Sequence, residues 1–198
     1  FIPLKYQTMI EISACSGFDL AIGLCHTFGF GNFIKDAEKG YNIITKYYEN
    51  NKHDSLSQNI LGFLHYIQIE PLKGFETEDN NKKTFDYFSK AAEQGDAYGE
   101  CWLGVCYYYS IGVEEDEKKA FDLFMKSAKQ GSAIGQYYLG DAYRCGTGVS
   151  KDEKKAFEWL KKSAELGFAQ GQYEVAQYFR YGSGFITKNY NKALEWYK

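Results

Sequence analysis

The sequence predicts an all-α fold, an α/α superhelical solenoid of about five helix pairs, and two observations carry that prediction. First, a block of residues recurs. Gly95-Asp-Ala-Tyr-Gly-Glu-Cys-Trp-Leu-Gly104 returns as Gly131-Ser-Ala-Ile-Gly-Gln-Tyr-Tyr-Leu-Gly140 and as Gly167-Phe-Ala-Gln-Gly-Gln-Tyr-Glu-Val-Ala176, each time 36 residues on. Second, the segment between these blocks repeats with the same period: Asp116-Glu-Lys-Lys-Ala-Phe121 returns as Asp152-Glu-Lys-Lys-Ala-Phe157. A period of this length marks stacked units, each too small to bury its own apolar face.

Each unit reads as two helices. In the first, Ala97, Leu103, Gly104 and Tyr107 fall at helical spacing, and Ala133, Leu139, Gly140 and Tyr143 repeat them. Glycine inside a helix costs roughly 1 kcal/mol in propensity. Its return at Gly104 and Gly140 therefore predicts close helix–helix contact there. The pair Gly146 and Gly148 ends the first helix. Asp152 is suited to cap the second helix, and Glu153 to lie at the positive end of its dipole. Ala156, Phe157, Leu160 and Ala164 make the inward stripe. Gly167 ends the helix where a left-handed cap is easy for glycine.

The order Leu-Gly-x-x-Tyr, Gly-x-Gly-Val, Asp-x-x-Lys-Ala-Phe, Lys-Ser-Ala-x-x-Gly resembles the Sel1-like repeat, a relative of the tetratricopeptide repeat. The match is densest over 131–167, at Leu139, Gly140, Tyr143, Gly146, Gly148, Val149, Asp152, Lys155, Ala156, Phe157, Trp159, Lys162, Ala164 and Gly167. The resemblance implies a superhelical scaffold for protein partners and does not imply an enzyme.

The pattern extends upstream more weakly. Ile22-Gly23, Gly29-Phe-Gly31 and Lys39-Gly40-Tyr41 keep its order, as do Leu61-Gly62, Lys83-Thr84-Phe85 and Lys90-Ala-Ala-x-x-Gly95. The resulting division is 1–13 as the end of a preceding repeat, with a closing helix at about 4–13, then repeats at 14–51, 52–95, 96–131, 132–167 and 168–198, the last one cut short. Leu61 lies 42 residues before Leu103 rather than 36, so the second of these repeats carries an insertion. Its acidic segment, Glu70 to Asp79, reads as a tolerated inter-helix loop, with a docking loop as the alternative. A start at Phe1 and a stop at Lys198 inside a second helix are expected of a piece of a longer protein with further repeats or another domain.

Composition narrows the function. The chain has 198 residues, of which 44% are hydrophobic, enough for a core shared between units. Its net charge of −3 excludes a strong nucleic-acid field. Pentatricopeptide repeats share a similar period and read RNA, but neither their motif nor a basic stripe is present. No apolar run approaches membrane-spanning length, so no membrane insertion is expected. Only 2 prolines argue against disordered linkers, and 18 tyrosines and 15 phenylalanines predict aromatic packing and an adhesive groove.

The five cysteines, Cys15, Cys25, Cys101, Cys106 and Cys145, do not recur in pairs, unlike those of the disulfide-rich Sel1-like subclass. Cys25 and Cys106 share one repeat position, held by Ala142 in the next unit, which is a small core slot. The odd count and irregular spacing predict a reducing, cytoplasmic setting. His26 and His65 each lie four residues after the apolar residue of their first helix, the aromatic core slot of Tyr107 and Tyr143; His53 falls on a turn. No zinc pattern, Ser-x-x-Lys, Gly-x-Ser-x-Gly or P-loop occurs, and the carboxylates sit at caps and on charged faces. No catalytic residue, metal ligand or cofactor is expected.

Helix geometry still defines a binding face. At about 100° per residue, Leu103 and Tyr107 mark the buried side of a first helix. Positions 98, 101, 105, 108 and 109 lie opposite, on what a tetratricopeptide-like superhelix makes its concave side. Across the repeats these are Tyr98, Ile134 and Gln170; Cys101, Tyr137 and Tyr173; Val105, Asp141 and Gln177; Tyr108, Arg144 and Arg180; Tyr109, Cys145 and Tyr181. The partner-binding candidates are Tyr98, Tyr108, Tyr109, Tyr137, Asp141, Arg144, Tyr173, Gln177, Arg180 and Tyr181, since tyrosine and arginine are favoured at interface hot spots. Arg144 and Arg180 occupy equivalent sites on adjacent units, about 10 Å apart by helix-packing distances. They are placed to receive a carboxylate or phosphate, unless Asp141, one turn before Arg144, neutralises it locally. The expected function is a non-catalytic scaffold that binds a protein or peptide, of acidic character if the arginines are available. The alternatives are a regulatory region of a larger enzyme such as a kinase and, third, a small-molecule-binding or hydrolytic Sel1-like protein.

Overall fold

The computed structural model describes residues 19–29, 32–67 and 77–197, and every regular element among them is an α-helix. In chain order these are α1 (Asp19–Phe28), α2 (Ala37–Asn50), α3 (Ser55–Tyr66), α4 (Thr77–Glu93), α5 (Ala97–Tyr108), α6 (Glu117–Lys129), α7 (Ala133–Cys145), α8 (Glu153–Glu165), α9 (Ala169–Tyr181) and α10 (Tyr190–Trp196). The fold is a helical solenoid of about five repeats. First helices α5, α7 and α9 start 36 residues apart, as do second helices α6 and α8. α10 starts 37 after α8, because the loop before it carries one extra residue. The helix expected at about 4–13 lies outside the described residues, as does most of the acidic segment; its last three residues, Thr77 to Asp79, are not loop but the first turn of α4.

Short polar side chains set the helix starts. The carboxylates of Asp36, Asp54, Asp116 and Asp152 accept the backbone N–H three residues on, at 2.9, 2.7, 2.9 and 3.0 Å. Each thereby satisfies a donor that the first turn leaves without a partner. The backbone bond to Lys119 holds the Asp116 carboxyl below the usual carboxylate range, and Lys155 does the same for Asp152. Gly131 and Gly167 end the second helices α6 and α8 at φ of +86° and +84°, the left-handed geometry expected of a glycine C-cap.

The helices group into two compact units, Phe1–Ala91 and Ala92–Lys198. In the first, α1 packs on α2 and α2 on α3. Leu20, Ile44, Leu61 and Leu64 form its core, lined by Tyr41, Tyr47, Tyr48 and Tyr87. His65 is a core residue, 1% exposed. It lies 3.1 Å from the Tyr41 hydroxyl through Nε2 and 3.0 Å from Asn80 Oδ1 through Nδ1, and it stacks on Tyr87 at 5.7 Å. Asn80 Oδ1 only accepts, so Nδ1–H donates and the neutral Nε2 takes the tyrosine proton. His26 is half-buried, edge-on to Phe33 at 5.1 Å, with Nδ1 3.2 Å from the Ile34 carbonyl. Both histidines thus pack and bond locally. Cys25 and Cys106 are 0% and 1% exposed and Ala142 3%, so the shared slot is a core slot.

In the second unit each helix packs on the next from α5 to α10, and α5 also touches α7. The close approaches fall at the expected glycines. A Cβ on Gly104 would lie 2.7 Å from the ring of Phe124. One on Gly140 would lie 2.8 Å from Leu160 Cγ and 3.0 Å from the Ala156 carbonyl. Bonds 30 residues apart tie each pair together: Ser163 donates to the Ala133 carbonyl at 2.6 Å, and Gln130 to the Glu100 carboxylate at 2.7 Å. Other bonds tie one repeat to the next, as where Tyr178 donates to Glu153 at 2.6 Å. Leu139, Leu160 and Val175 are wholly buried, each worth roughly 1.5–3 kcal/mol of transfer free energy.

Two predictions follow from this packing. Gly140→Ala gains about 1 kcal/mol of helix propensity, but its methyl meets backbone that cannot retreat, and overpacking costs about 1–3 kcal/mol. The second effect is larger or equal, so the urea midpoint falls; a raised midpoint would show the contact to be loose. The second prediction concerns pH. Burial holds the His65 pKa below 6.5, with the Asn80 hydrogen bond opposing, Lys83 lowering it further and Asp79 raising it. Tyr41 and Tyr87 complete its surroundings. The unfolded chain then binds the proton first, so this contribution is present above pH 6.5 and lost on acidification through the lowered folded value. From about pH 7.5 to about pH 5.5, the wild type should lose more stability than His65→Gln. Equal losses would sink the assignment of a neutral His65.

Candidate protein-binding face

The ten candidate residues all lie in the second unit, on α5, α7 and α9 and the residue that follows α5. Their exposure is uneven, because position alone does not set it. Tyr109, Tyr173 and Tyr181 are 58%, 51% and 65% exposed. Tyr98 is less so, its ring 6.0 Å from that of Trp102. Tyr108, Tyr137, Asp141, Arg144 and Gln177 are half-buried, and Arg180 is exposed. Cys101 and Val105, placed on the same open face by helix angle, are instead buried at 0% and 1%. Successive first helices α5 and α7 touch, and these short side chains end beneath their neighbours. Of the tyrosines at the equivalent positions, Tyr173 is exposed and Tyr137 is half-buried against the Leu160 cluster. Burial pushes the Cys106 thiol up to about 12 and the Cys101 thiol higher still, so neither is a nucleophile at neutral pH. Leu103 and Tyr107, taken as the buried side, are only half-buried, whereas their counterparts Leu139 and Tyr143 are buried. In α5 the buried set runs through Gly99, Glu100, Cys101, Trp102, Gly104, Val105 and Cys106.

The two arginines have different surroundings. Arg144 is ion-paired to Asp141 within α7. Burial lowers its pKa, but the hydrogen bond and charge of Asp141, with Glu174 of α9, outweigh that and raise it. Of the two readings of Arg144, local neutralisation is the one realised. The same carboxylates, added to burial, raise the Tyr137 hydroxyl. Arg180 is in no ion pair with a described residue. A side-chain hydrogen bond to Tyr197 raises its pKa, and it lies 5.2 Å over the Tyr181 ring with Tyr173 nearby. A polar belt runs beside it: Gln177 donates to the Tyr173 hydroxyl at 2.9 Å and accepts from Tyr197 at 2.6 Å.

Glu174 and Tyr197 were not among the sequence candidates. Tyr197 stands one residue late in the slot that Leu160 fills, so the extra residue before α10 hides it from a strict 36-residue alignment. Glu174 sits at the position of Trp102 and Tyr138, where an acid replaces an aromatic residue.

Two clefts lie away from the ten residues: one of about 390 Å³ along α2, lined by Asp36, Glu38, Lys39, Asn42, Ile43 and Lys46, and one of about 320 Å³ beside the 185–189 loop. Among the described residues, no three His, Cys, Asp or Glu side chains are grouped to hold a metal ion. No helix among the described residues is long and apolar enough to cross a membrane.

Comparison with known proteins places this architecture. The Sel1 repeat model matches residues 18–44, 55–96, 97–132, 133–168 and 169–198. A Sel1 repeat protein from Oxalobacter formigenes is 25% identical with a TM-score of 0.78, over 96% of this chain and 73% of that one. The protective antigen c5321 of uropathogenic Escherichia coli, described as having an SLR fold, is 30% identical with a TM-score of 0.64, over 96% of this chain and 40% of that one. A Sel1 repeat protein from Klebsiella pneumoniae, 23% identical with a TM-score of 0.60 over 96% of this chain and 89% of that one, shares the fold. No curated protein matches at a significant level. With repeats matched over most of its length, the chain belongs to the Sel1 repeat family.

Proposed function

We propose that this chain is a non-catalytic scaffold whose first helices hold a protein or peptide along their tyrosine-rich face, the concave side of the superhelix. Sel1-repeat proteins are in general scaffolds for protein partners. The observation that carries the finer reading is the exposure of Tyr109, Tyr173 and Tyr181 at recurrent positions of the first helices. An exposed phenol ring supplies large contact area with little side-chain entropy to lose, and a hydroxyl for hydrogen bonding. Three rings more than half exposed to solvent suit an extended peptide better than a small substrate. The partner is protein rather than nucleic acid, since the net charge is −3.

The test is affinity capture with the whole protein, quantified against variants. Tyr109→Ala, Tyr173→Ala and Tyr181→Ala combined should leave the helical circular dichroism unchanged and weaken a captured partner about tenfold or more. Lys118→Glu with Lys154→Glu, on exposed second-helix positions, should have little effect. The reverse pattern would put the binding surface on the second helices.

We propose a reducing, cytoplasmic setting for the same reason the cysteine pattern suggested it. Cys101, Cys106 and Cys145 are unpaired thiols, the first two buried. If thiols are trapped in the cell and the chain is then denatured, all five cysteines should label. Labelling at one cysteine alone would mean two disulfides and overturn this setting.

A further inference from the structure

We infer that the α9 end of this face is a receptor for one carboxylate of the bound peptide, seated at Arg180 beside Tyr173, Tyr181 and Tyr197. The inference rests on reading the face as a binding surface and adds the chemistry of what is bound there. Symmetry of the repeats would make Arg144 and Arg180 equal anion sites. The structure makes them unequal. Arg144 spends its guanidinium on Asp141 and lies in the field of Glu174 as well. A second anion at Arg144 would meet two carboxylates already present.

Arg180 differs in each respect. It is exposed, and among the described residues no carboxylate is ion-paired to it. Its guanidinium lies 5.2 Å over the Tyr181 ring. The Tyr197 hydroxyl takes one of its N–H donors, and a guanidinium carries five, so others stay available for a two-point bond to a carboxylate. The belt through Gln177, with bonds of 2.9 Å to Tyr173 and 2.6 Å to Tyr197, holds two phenol rings beside it, 6.0 Å apart. Tyr173 and Tyr181 are 51% and 65% exposed, which leaves ring surface for an apolar residue next to the acid.

Charge balance selects a carboxylate over a phosphate or a polyacidic run. Asp141 and Glu174 act on Arg144, and the neighbours that act on Arg180 are phenols, so its single positive charge is matched by one carboxylate, whereas a dianion leaves one charge unmatched. A lone Asp or Glu beside an aromatic residue fits, and so does a peptide's terminal carboxylate.

The test follows the guanidinium N–H signals of Arg144 and Arg180 by NMR. The probes are N-acetyl-Tyr-Glu-amide, N-acetyl-Tyr-Gly with a free carboxyl terminus, and N-acetyl-Tyr-Gln-amide as the uncharged control. A carboxylate probe should shift Arg180 saturably and leave Arg144 unmoved, and the tighter of the two names the source of the acid. Arg180→Gln should weaken that probe about tenfold, Arg180→Lys should restore only part of the affinity, and Arg144→Gln should not weaken it. Equal binding of all three probes, or unchanged binding to Arg180→Gln, overturns the carboxylate site. If the amides of Tyr173 and Tyr181 still shift in that case, the tyrosine face survives as a binding surface. If no probe shifts any of these signals, while captured partners are lost from the second-helix variants, both readings fall.

Discussion

A methyl group at Gly104 or Gly140 would collide with the second helix of the same repeat, at 2.7 Å from Phe124 or 2.8 Å from Leu160. The rest of the second unit depends on that absence of a side chain. Because the first helix can lie this close, Leu139, Leu160 and Val175 are excluded from water entirely. The same proximity lets Ser163 reach the Ala133 carbonyl at 2.6 Å. The propensity cost of a mid-helix glycine, roughly 1 kcal/mol, is smaller than what each buried leucine contributes. Repetition at 36 residues then carries the arrangement from one pair to the next.

This geometry divides the side chains of a first helix by length as well as by angle. A short residue on the nominally open side, such as Cys101 or Val105, is covered where adjacent first helices meet. At the place equivalent to Cys101, Tyr173 is exposed and Tyr137 half-buried. An outward aromatic face therefore arises where the sequence places long side chains, and it is richest on α9. The electrostatics are graded in the same way. On α7 the charges are internally balanced by Asp141 and Arg144, whereas on α9 the arginine has phenols for company. Two positions that are equivalent by repeat thus differ in their charge surroundings.

The first unit shows another use of the repeat's slots. Position 65 is the aromatic core slot, and histidine fills it as an aromatic ring stacked on Tyr87. It also keeps two polar nitrogens, which Tyr41 and Asn80 satisfy. A buried polar group is tolerated when its hydrogen bonds are met. Asn80 lies in the first turn of α4, directly after the segment that reads from sequence as an acidic loop.

The repeat, the helix boundaries and the glycine contacts were legible in the sequence because they are local or periodic. A cap such as Asp152 acts three residues away, a helix stop such as Gly167 acts on its own φ, and the 36-residue period announces the stacking. The tyrosines and arginines of the candidate face were legible because helical angle follows from residue number. Their availability was not. Whether Arg144 is open depends on a bond to Asp141 and on Glu174 arriving from another helix. Whether Cys101 is open depends on how far its neighbours reach. Tyr197 joins the face only because one inserted residue shifts α10 in register and a hydrogen bond brings its hydroxyl to Gln177. Burial and charge pairing are sums over neighbours distant in sequence, and only the packed helices decide them.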